Sequence, residues 1–163
     1  MRWELKPRGF FGRDFVILGE DGQPLTEIDT HVNWFGEDSR FTLEGIEYSL
    51  QTKGLTGGRF DLVRDRRTLA HARRSGLWDT SLEVELADRR FKLKRVGFWG
   101  TRFELRHGDH VCGGIQRKGW SGRTVLFDMS ERIPLAEQVF IAWLALILWT
   151  REDSAAATVA ASV

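Results

Sequence analysis

The feature that most constrains this chain lies near its end. From Val139 to Trp149 the sequence reads Val-Phe-Ile-Ala-Trp-Leu-Ala-Leu-Ile-Leu-Trp with no polar side chain, and the run stops at Arg151-Glu152-Asp153. Its Leu and Ala content favours a helix. Pro134 suits a first helical residue, because its φ is preset and no N–H is needed there. Apolar residues cover every side of such a helix, so a helix over residues 134–151 has to be buried on all faces and not along one stripe. A bilayer-spanning helix needs about 20 residues, whereas an apolar run of about 10–14 belongs to a protein core. The rest of the chain must therefore supply an enclosure.

That enclosure reads as β-structure. Before the helix the apolar residues alternate with polar ones: Trp3/Leu5, Phe15/Ile17, Phe41/Leu43, Ile46/Tyr48/Leu50, Phe60/Leu62, Leu82/Val84/Leu86, Phe91/Leu93 and Phe103/Leu105. Residues 69–74, 111–117 and 123–127 extend the series, and Leu25–Val32 adds a less regular member. Period-two alternation with short Gly-, Asp- and Asn-containing connections predicts antiparallel strands with one face buried. The count is eleven, or twelve with the Leu25 region. An eight-stranded barrel is filled by its own side chains, and about 16 strands leave an aqueous channel. About twelve leave a lumen close to the roughly 10 Å diameter of a helix. A closed antiparallel barrel around the helix buries both apolar surfaces and leaves no sheet edge; a sandwich with the helix across it would leave part of the helix wet. Ala70, Ala72, Gly113 and Gly114 are expected where the helix approaches the wall. Residues 1–151 then form a single barrel domain, which 163 residues can fill with a sizeable core. The Ala-rich tail 152–163 is expected to be disordered, beyond a further helical turn at most.

An internal repeat runs through the strands. Arg59-Phe-Asp-Leu to Gly76 and Arg102-Phe-Glu-Leu to Gly119 align over 18 residues without a gap, and Phe-x-Leu recurs at Phe41, Phe60, Phe91 and Phe103. Hairpins under one packing constraint and duplication of a hairpin both account for it.

Charge is unevenly spread. Residues 59–123 carry 16 Lys/Arg against 8 Asp/Glu, a net +8, while residues 1–58 and 124–163 are −4 and −3, for a total of +1. Within the basic middle, Arg64, Arg66, Arg67, Arg73 and Arg74 surround one hairpin, and Arg89, Arg90, Lys92, Lys94 and Arg95 occupy the next strand. The planar arginine fork suits phosphate, and a polybasic surface is drawn to anionic lipid. These ten are the candidate anion-binding residues. The competing reading is that outward barrel positions must be polar, with Glu83, Glu85 and Glu104 pairing across strands. Nucleic acid is disfavoured, because no exposed aromatics interleave with the charges.

Other chemistry finds little support. His107-x-x-His110-x-Cys112 has metal-capable residue types, but Gly108-Asp109 between the histidines reads as a hairpin turn. Gly119-Trp-Ser-Gly122 reads as a loop and not as a nucleophile elbow. No catalytic, metal or cofactor residues are assigned. Trp78, Trp99 and Trp120 fall in or beside loops, where they either plug the barrel mouths or form a rim for a partner or membrane. The N-terminus lacks the apolar stretch of a signal peptide and Cys112 is the single cysteine, so the expected location is the cytoplasm, peripheral to a membrane if lipid is the ligand.

The layout of many two-periodic strands, the stretch Gly113-Gly-Ile-Gln-Arg-Lys118, one more strand and then the helix from Pro134 to Trp149 resembles the tubby C-terminal-like superfamily. That group includes the LURP-one-related proteins and the phospholipid scramblases, and the resemblance covers about residues 2–151. It implies a twelve-stranded closed barrel around a hydrophobic C-terminal helix, and a non-enzymatic domain binding anionic phospholipid headgroups. A protein-interaction or structural role is the alternative. Scramblase-like translocation is the weaker one, since the chain has no acidic calcium loop after the barrel and no Pro-rich N-terminal extension. The oligomeric state is left open.

Overall fold

Alternation along the chain folds as twelve strands in succession. The computed structural model describes residues 1–8, 14–33, 36–53, 58–75, 81–97, 100–118 and 123–160, with 31–33, 36–37 and 154–160 described by backbone alone. The elements are β1 (Arg2–Arg8), β2 (Asp14–Leu18), β3 (Pro24–Asn33), β4 (Gly36–Leu43), β5 (Ile46–Lys53), β6 (Arg59–Arg64), β7 (Arg67–Arg74), β8 (Leu82–Leu86), β9 (Arg89–Val96), β10 (Arg102–His107), β11 (His110–Lys118), β12 (Thr124–Met129) and α1 (Leu135–Ala160). Each strand pairs antiparallel with its neighbours in sequence. β1 pairs with β12, Leu5 opposite Val125, and closes the ring. The irregular Leu25 region is therefore a full wall strand, β3.

Because every connection joins adjacent antiparallel strands, connections alternate between two ends. Glu44-Gly45, Asp65-Arg66, Ala87-Asp88 and Gly108-Asp109 turn at one end, together with the 130–134 link into the helix; we name this the turn end. In the first two of these turns both central residues have positive φ, 51° and 77° at Glu44 and Gly45, 50° and 63° at Asp65 and Arg66. That backbone matches the right-handed twist of the flanking strands. Gly97 and Gly100 flank a connection at the opposite, loop end.

The wall is apolar within and charged without. On β8, Leu82, Val84 and Leu86 are buried while Glu83 and Glu85 point outward. The same alternation buries Leu5, Ile17, Phe41, Leu50, Phe60, Leu93, Phe103 and Phe127. Every residue from Val139 to Trp149 is buried too, and helix and wall side chains form a single cluster. Strands β6 and β12, both packed against the helix, stand six places apart in the ring of twelve, on opposite walls. A helix touching opposite walls and buried on all faces runs through the lumen. Trp143 meets Phe60 edge-on at 5.9 Å, and Trp149 meets Phe103 at 5.0 Å. At the turn end the Pro134 carbonyl accepts from the N–H groups of Glu137 and Gln138, each at 3.0 Å. At the loop end Trp149 Nε1 donates to the Gly100 carbonyl at 3.0 Å. An outward apolar band and a polar lumen define membrane barrels; here that polarity is inverted. Among the described residues no helix is long and apolar enough to cross a membrane.

Three expectations change. The helix begins at Leu135, one residue after Pro134, and its backbone stays helical through Ala160 where a disordered tail from 152 was expected. Alanines have the highest helix propensity, and an enclosed helix already formed spares them the cost of nucleation. Residues 161–163 lie outside the described ones. Nor do the glycines of β11 make room for the helix. A Cβ on Gly113 would meet Met129 Cγ at 2.7 Å and the Asp128 carbonyl oxygen at 2.9 Å, whereas Gly114 faces outward beneath the Arg102 guanidinium. Ala70 and Ala72 are buried in the core cluster.

The repeat is structural as well. β6–β7 and β10–β11 both shift register after the fourth residue of the first strand, at Leu62/Val63 and Leu105/Arg106. The aligned Phe60 and Phe103 are the residues that meet the helix tryptophans edge-on. A common task, seating a helix indole against a phenyl ring, favours the shared-constraint reading.

Candidate functional site

In this meander, charge segregated along the sequence becomes charge segregated around the wall. The +8 segment from 59 to 123 contains β6 to β11, six consecutive strands and hence one contiguous half of the barrel. The acidic segments supply β1–β5, β12 and the helix.

Within that half the ten candidate residues spread over both ends and the middle of one strand. Arg64, Arg66, Arg67, Arg89 and Arg90 sit at the turn end, on two hairpins separated by two strand spacings, about 10 Å. Arg64 lies 3.8 Å from Asp65, its neighbour in the turn. Arg66 is exposed and left-handed, a conformation that costs a residue with a Cβ about 1 kcal/mol. Arg89 donates to the Arg132 carbonyl at 3.3 Å and lies 5.6 Å from the Phe91 ring centre. Lys92 and Lys94 point outward from the middle of β9. Arg73, Arg74 and Arg95 lie toward the loop end.

Arg95 does a different job from the others. Half-buried, it donates to the Gly100 carbonyl at 2.8 Å and to Glu152 on the helix at 2.5 Å. Arg117 pairs with Asp153 and covers the Trp149 ring at 5.5 Å. These two arginines clamp the helix where it leaves the barrel, so Arg95 holds the fold while the other nine candidates are exposed.

Of the cross-strand pairs anticipated in the sequence, those of Glu83 and Glu85 are present. Arg73 meets Glu83 at 2.8 Å and Arg90 comes within 3.8 Å of Glu85, whereas Glu104 pairs within its own strand, 2.9 Å from Arg106. Register places Glu83 between Arg73 and Lys92, and Glu85 between His71 and Arg90. A groove of about 370 Å³ opens over this lattice on the outside of β7–β10, with His71, Glu83 and Glu85 lining it beside Arg73, Arg90 and Lys92. Sequence reasoning named those three cations but left out His71 and Arg106. Strand register is the signal that collects them, and it is not legible from composition.

Electrostatics at the turn end carries one resolved perturbation. Burial at the start of the helix pushes the Glu137 carboxyl above its ordinary 4.5, against the opposing pull of Arg89. His107 and His110 flank the Gly108-Asp109 turn as expected; His107 Nδ1 sits 2.8 Å from the Arg90 carbonyl, and the half-buried Cys112 thiol donates to the His110 carbonyl at 3.8 Å. Among the described residues no three His, Cys, Asp or Glu side chains gather as a metal site. Trp78, Trp99, Trp120 and the Gly119–Gly122 stretch lie outside the described residues.

The barrel has a counterpart. An Arabidopsis thaliana protein solved by X-ray crystallography superposes with a TM-score of 0.58, covering 93% of this chain and 91% of its own, at 18% identity. Similarity at that level shows a common fold over nearly the whole of both chains. No protein-family model matches this chain, and no curated protein matches it.

Proposed function

We propose that the chain is a non-enzymatic binding domain of the tubby-like kind, which engages anionic phospholipid headgroups through the basic half of its wall. The observation that supports this is the gathering of the +8 segment into six adjacent strands, so that an attraction weak at any one residue acts from one side of the molecule. Exposed ion pairs blunt part of it. Arg66, Arg67, Arg74 and Lys94 have no side-chain partner among the described residues. At about 1 kcal/mol per cation near an anionic surface, these four alone supply about 4 kcal/mol at low salt. The tubby-like assignment draws on the closed twelve-stranded barrel with an apolar C-terminal helix inside it. The reading places the protein at the cytoplasmic face of a membrane, bound peripherally.

Sedimentation with vesicles tests it. Phosphatidylcholine vesicles doped with phosphatidylglycerol should carry the protein down at low salt and release it as salt rises, while phosphatidylcholine alone leaves it in the supernatant. Absence of binding to the doped vesicles at low salt overturns the proposal.

A second reading, docking with an acidic protein or another copy of this chain, draws on the opposite charge of the two halves of the wall. It predicts salt-sensitive self-association or partner binding without lipid. Translocation of lipid by an inserted helix is the least favoured, because the helix would have to leave the lumen and expose both the apolar wall and its own buried faces.

A further inference from the structure

In the groove over β7–β10, positive and negative side chains are interleaved strand by strand. We infer that this groove is a binding site for a phosphate ester that also carries a primary ammonium group within a headgroup of net negative charge, and not for a bare anion. The inference rests on the anionic-ligand reading above and narrows it to one site and one chemistry.

Two carboxylates, Glu83 and Glu85, project from the central strand β8, with cations beside them on both flanks, Arg73 from β7 and Arg90 and Lys92 from β9. Arg106 from β10 lines the groove too, with its charge already met by Glu104 at 2.9 Å, so the other three cations exceed the two carboxylates by one positive charge. A ligand of net negative charge is therefore drawn in. A phosphate alone would meet the carboxylate column and its repulsion as well as the arginines. A ligand with an ammonium group a few bonds from its phosphate satisfies both columns: arginine forks take the phosphate oxygens, and Glu83 or Glu85 accepts from the ammonium.

The resident pairs do not prevent this. Arg73 with Glu83 is 68% and 51% exposed, and Arg90 with Glu85 is 88% and 40% exposed. Ion pairs that wet are worth little, so exchanging one partner for a ligand group of the same charge meets small resistance. A volume of about 370 Å³ takes a headgroup and leaves acyl chains outside.

The test compares phosphatidylcholine vesicles doped equally with phosphatidylserine or with phosphatidylglycerol, two lipids of the same net charge of which only the first carries an ammonium group. Free O-phosphoserine and inorganic phosphate, followed by amide NMR shifts, form the soluble arm. Phosphatidylserine should bind on the order of fivefold more tightly than phosphatidylglycerol. The E83Q/E85Q variant should abolish that preference without weakening phosphatidylglycerol binding, and O-phosphoserine should shift amides of β7–β9 more than inorganic phosphate does. Both substituted positions are at least 40% exposed, so the fold should persist, which a thermal melt verifies. Equal binding of the two lipids, or a preference that survives E83Q/E85Q, overturns the groove assignment and leaves the basic-wall proposal standing. O-phosphoserine binding at β7–β9 without vesicle binding keeps the groove and overturns the lipid reading. No response in any arm overturns both.

Discussion

Trp149 closes the barrel at the end where the helix leaves, and its truncation measures how fully the helix is enclosed. The indole is 1% exposed, donates Nε1–H to the Gly100 carbonyl at 3.0 Å, meets Phe103 edge-on at 5.0 Å and lies under the Arg117 guanidinium at 5.5 Å. Replacing a buried Trp by Ala costs about 3–5 kcal/mol through lost burial and the cavity left behind. The Gly100 carbonyl also accepts from Arg95 Nε at 2.8 Å, so it keeps a donor and adds no penalty for an unpaired acceptor. Trp149→Phe retains most of the ring contact and loses one hydrogen bond of about 1 kcal/mol plus some volume, about 1–2 kcal/mol together. In a chain of this size each kcal/mol moves Tm by about 2–4 °C, so the Ala variant should melt about 6–20 °C lower. Guanidinium denaturation followed by far-UV circular dichroism gives both free energies, with an unchanged m-value if both states keep their compactness. A Trp149→Ala variant within about 1 kcal/mol of the parent would mean that the exit is open, and the threaded helix would be wrong.

Further outcomes follow from particular contacts. Because burial raises the folded-state pKa of Glu137, the native state holds that proton more tightly; the favourable contribution is present below 4.5 and is lost as pH rises through the folded value. Glu137→Gln should thus stabilise the protein at neutral pH with a gain that vanishes in acid, and denaturation curves showing the same difference at both pH values would refute this. Gly113→Ala should cost about 1–3 kcal/mol by overpacking against Met129 and the Asp128 carbonyl, while Gly114→Ala, whose Cβ comes no closer than 3.7 Å to Arg102, should change stability little; equal costs in thermal melts would contradict the inward and outward assignment of the two glycines. A double-mutant cycle on Arg95 and Glu152 should show a salt-sensitive coupling of about 0.5–1 kcal/mol, modest because Glu152 is 40% exposed; a coupling of zero would remove the pair from the helix clamp.

The candidate site was only half legible. That Arg73, Arg90 and Lys92 face outward follows from alternation alone, since their neighbours Ala72, Phe91 and Leu93 are the apolar members of the pattern. That Arg73 meets Glu83, that Glu85 stands between His71 and Arg90, and that Arg106 reaches the same groove all depend on register across four strands. A slip of one residue would turn every side chain of a strand to the other face. Arg95 shows the opposite failure. It belongs to the basic run by sequence, yet its partner is Glu152, 57 residues away and brought within reach by the helix crossing the lumen.

For the fold, the chain's own pattern determined a great deal. Eleven strands follow from alternation, and the helix inside the barrel follows from a run with no polar face, because both signals are local; the twelfth, the irregular Leu25 region, became a wall strand only through its pairing with β2 and β4. Only the assembled molecule decided the pairing of β1 with β12, the passage of the helix from turn end to loop end, the filling of the space at Gly113 by Met129, and the spread of ten basic side chains over two ends, the middle of β9 and a clamp. Periodicity states which face of a strand is apolar; it carries no information about which residue of the neighbouring strand lies opposite. That is settled by turn geometry and by packing around the helix, both of which exist only once the ring has closed.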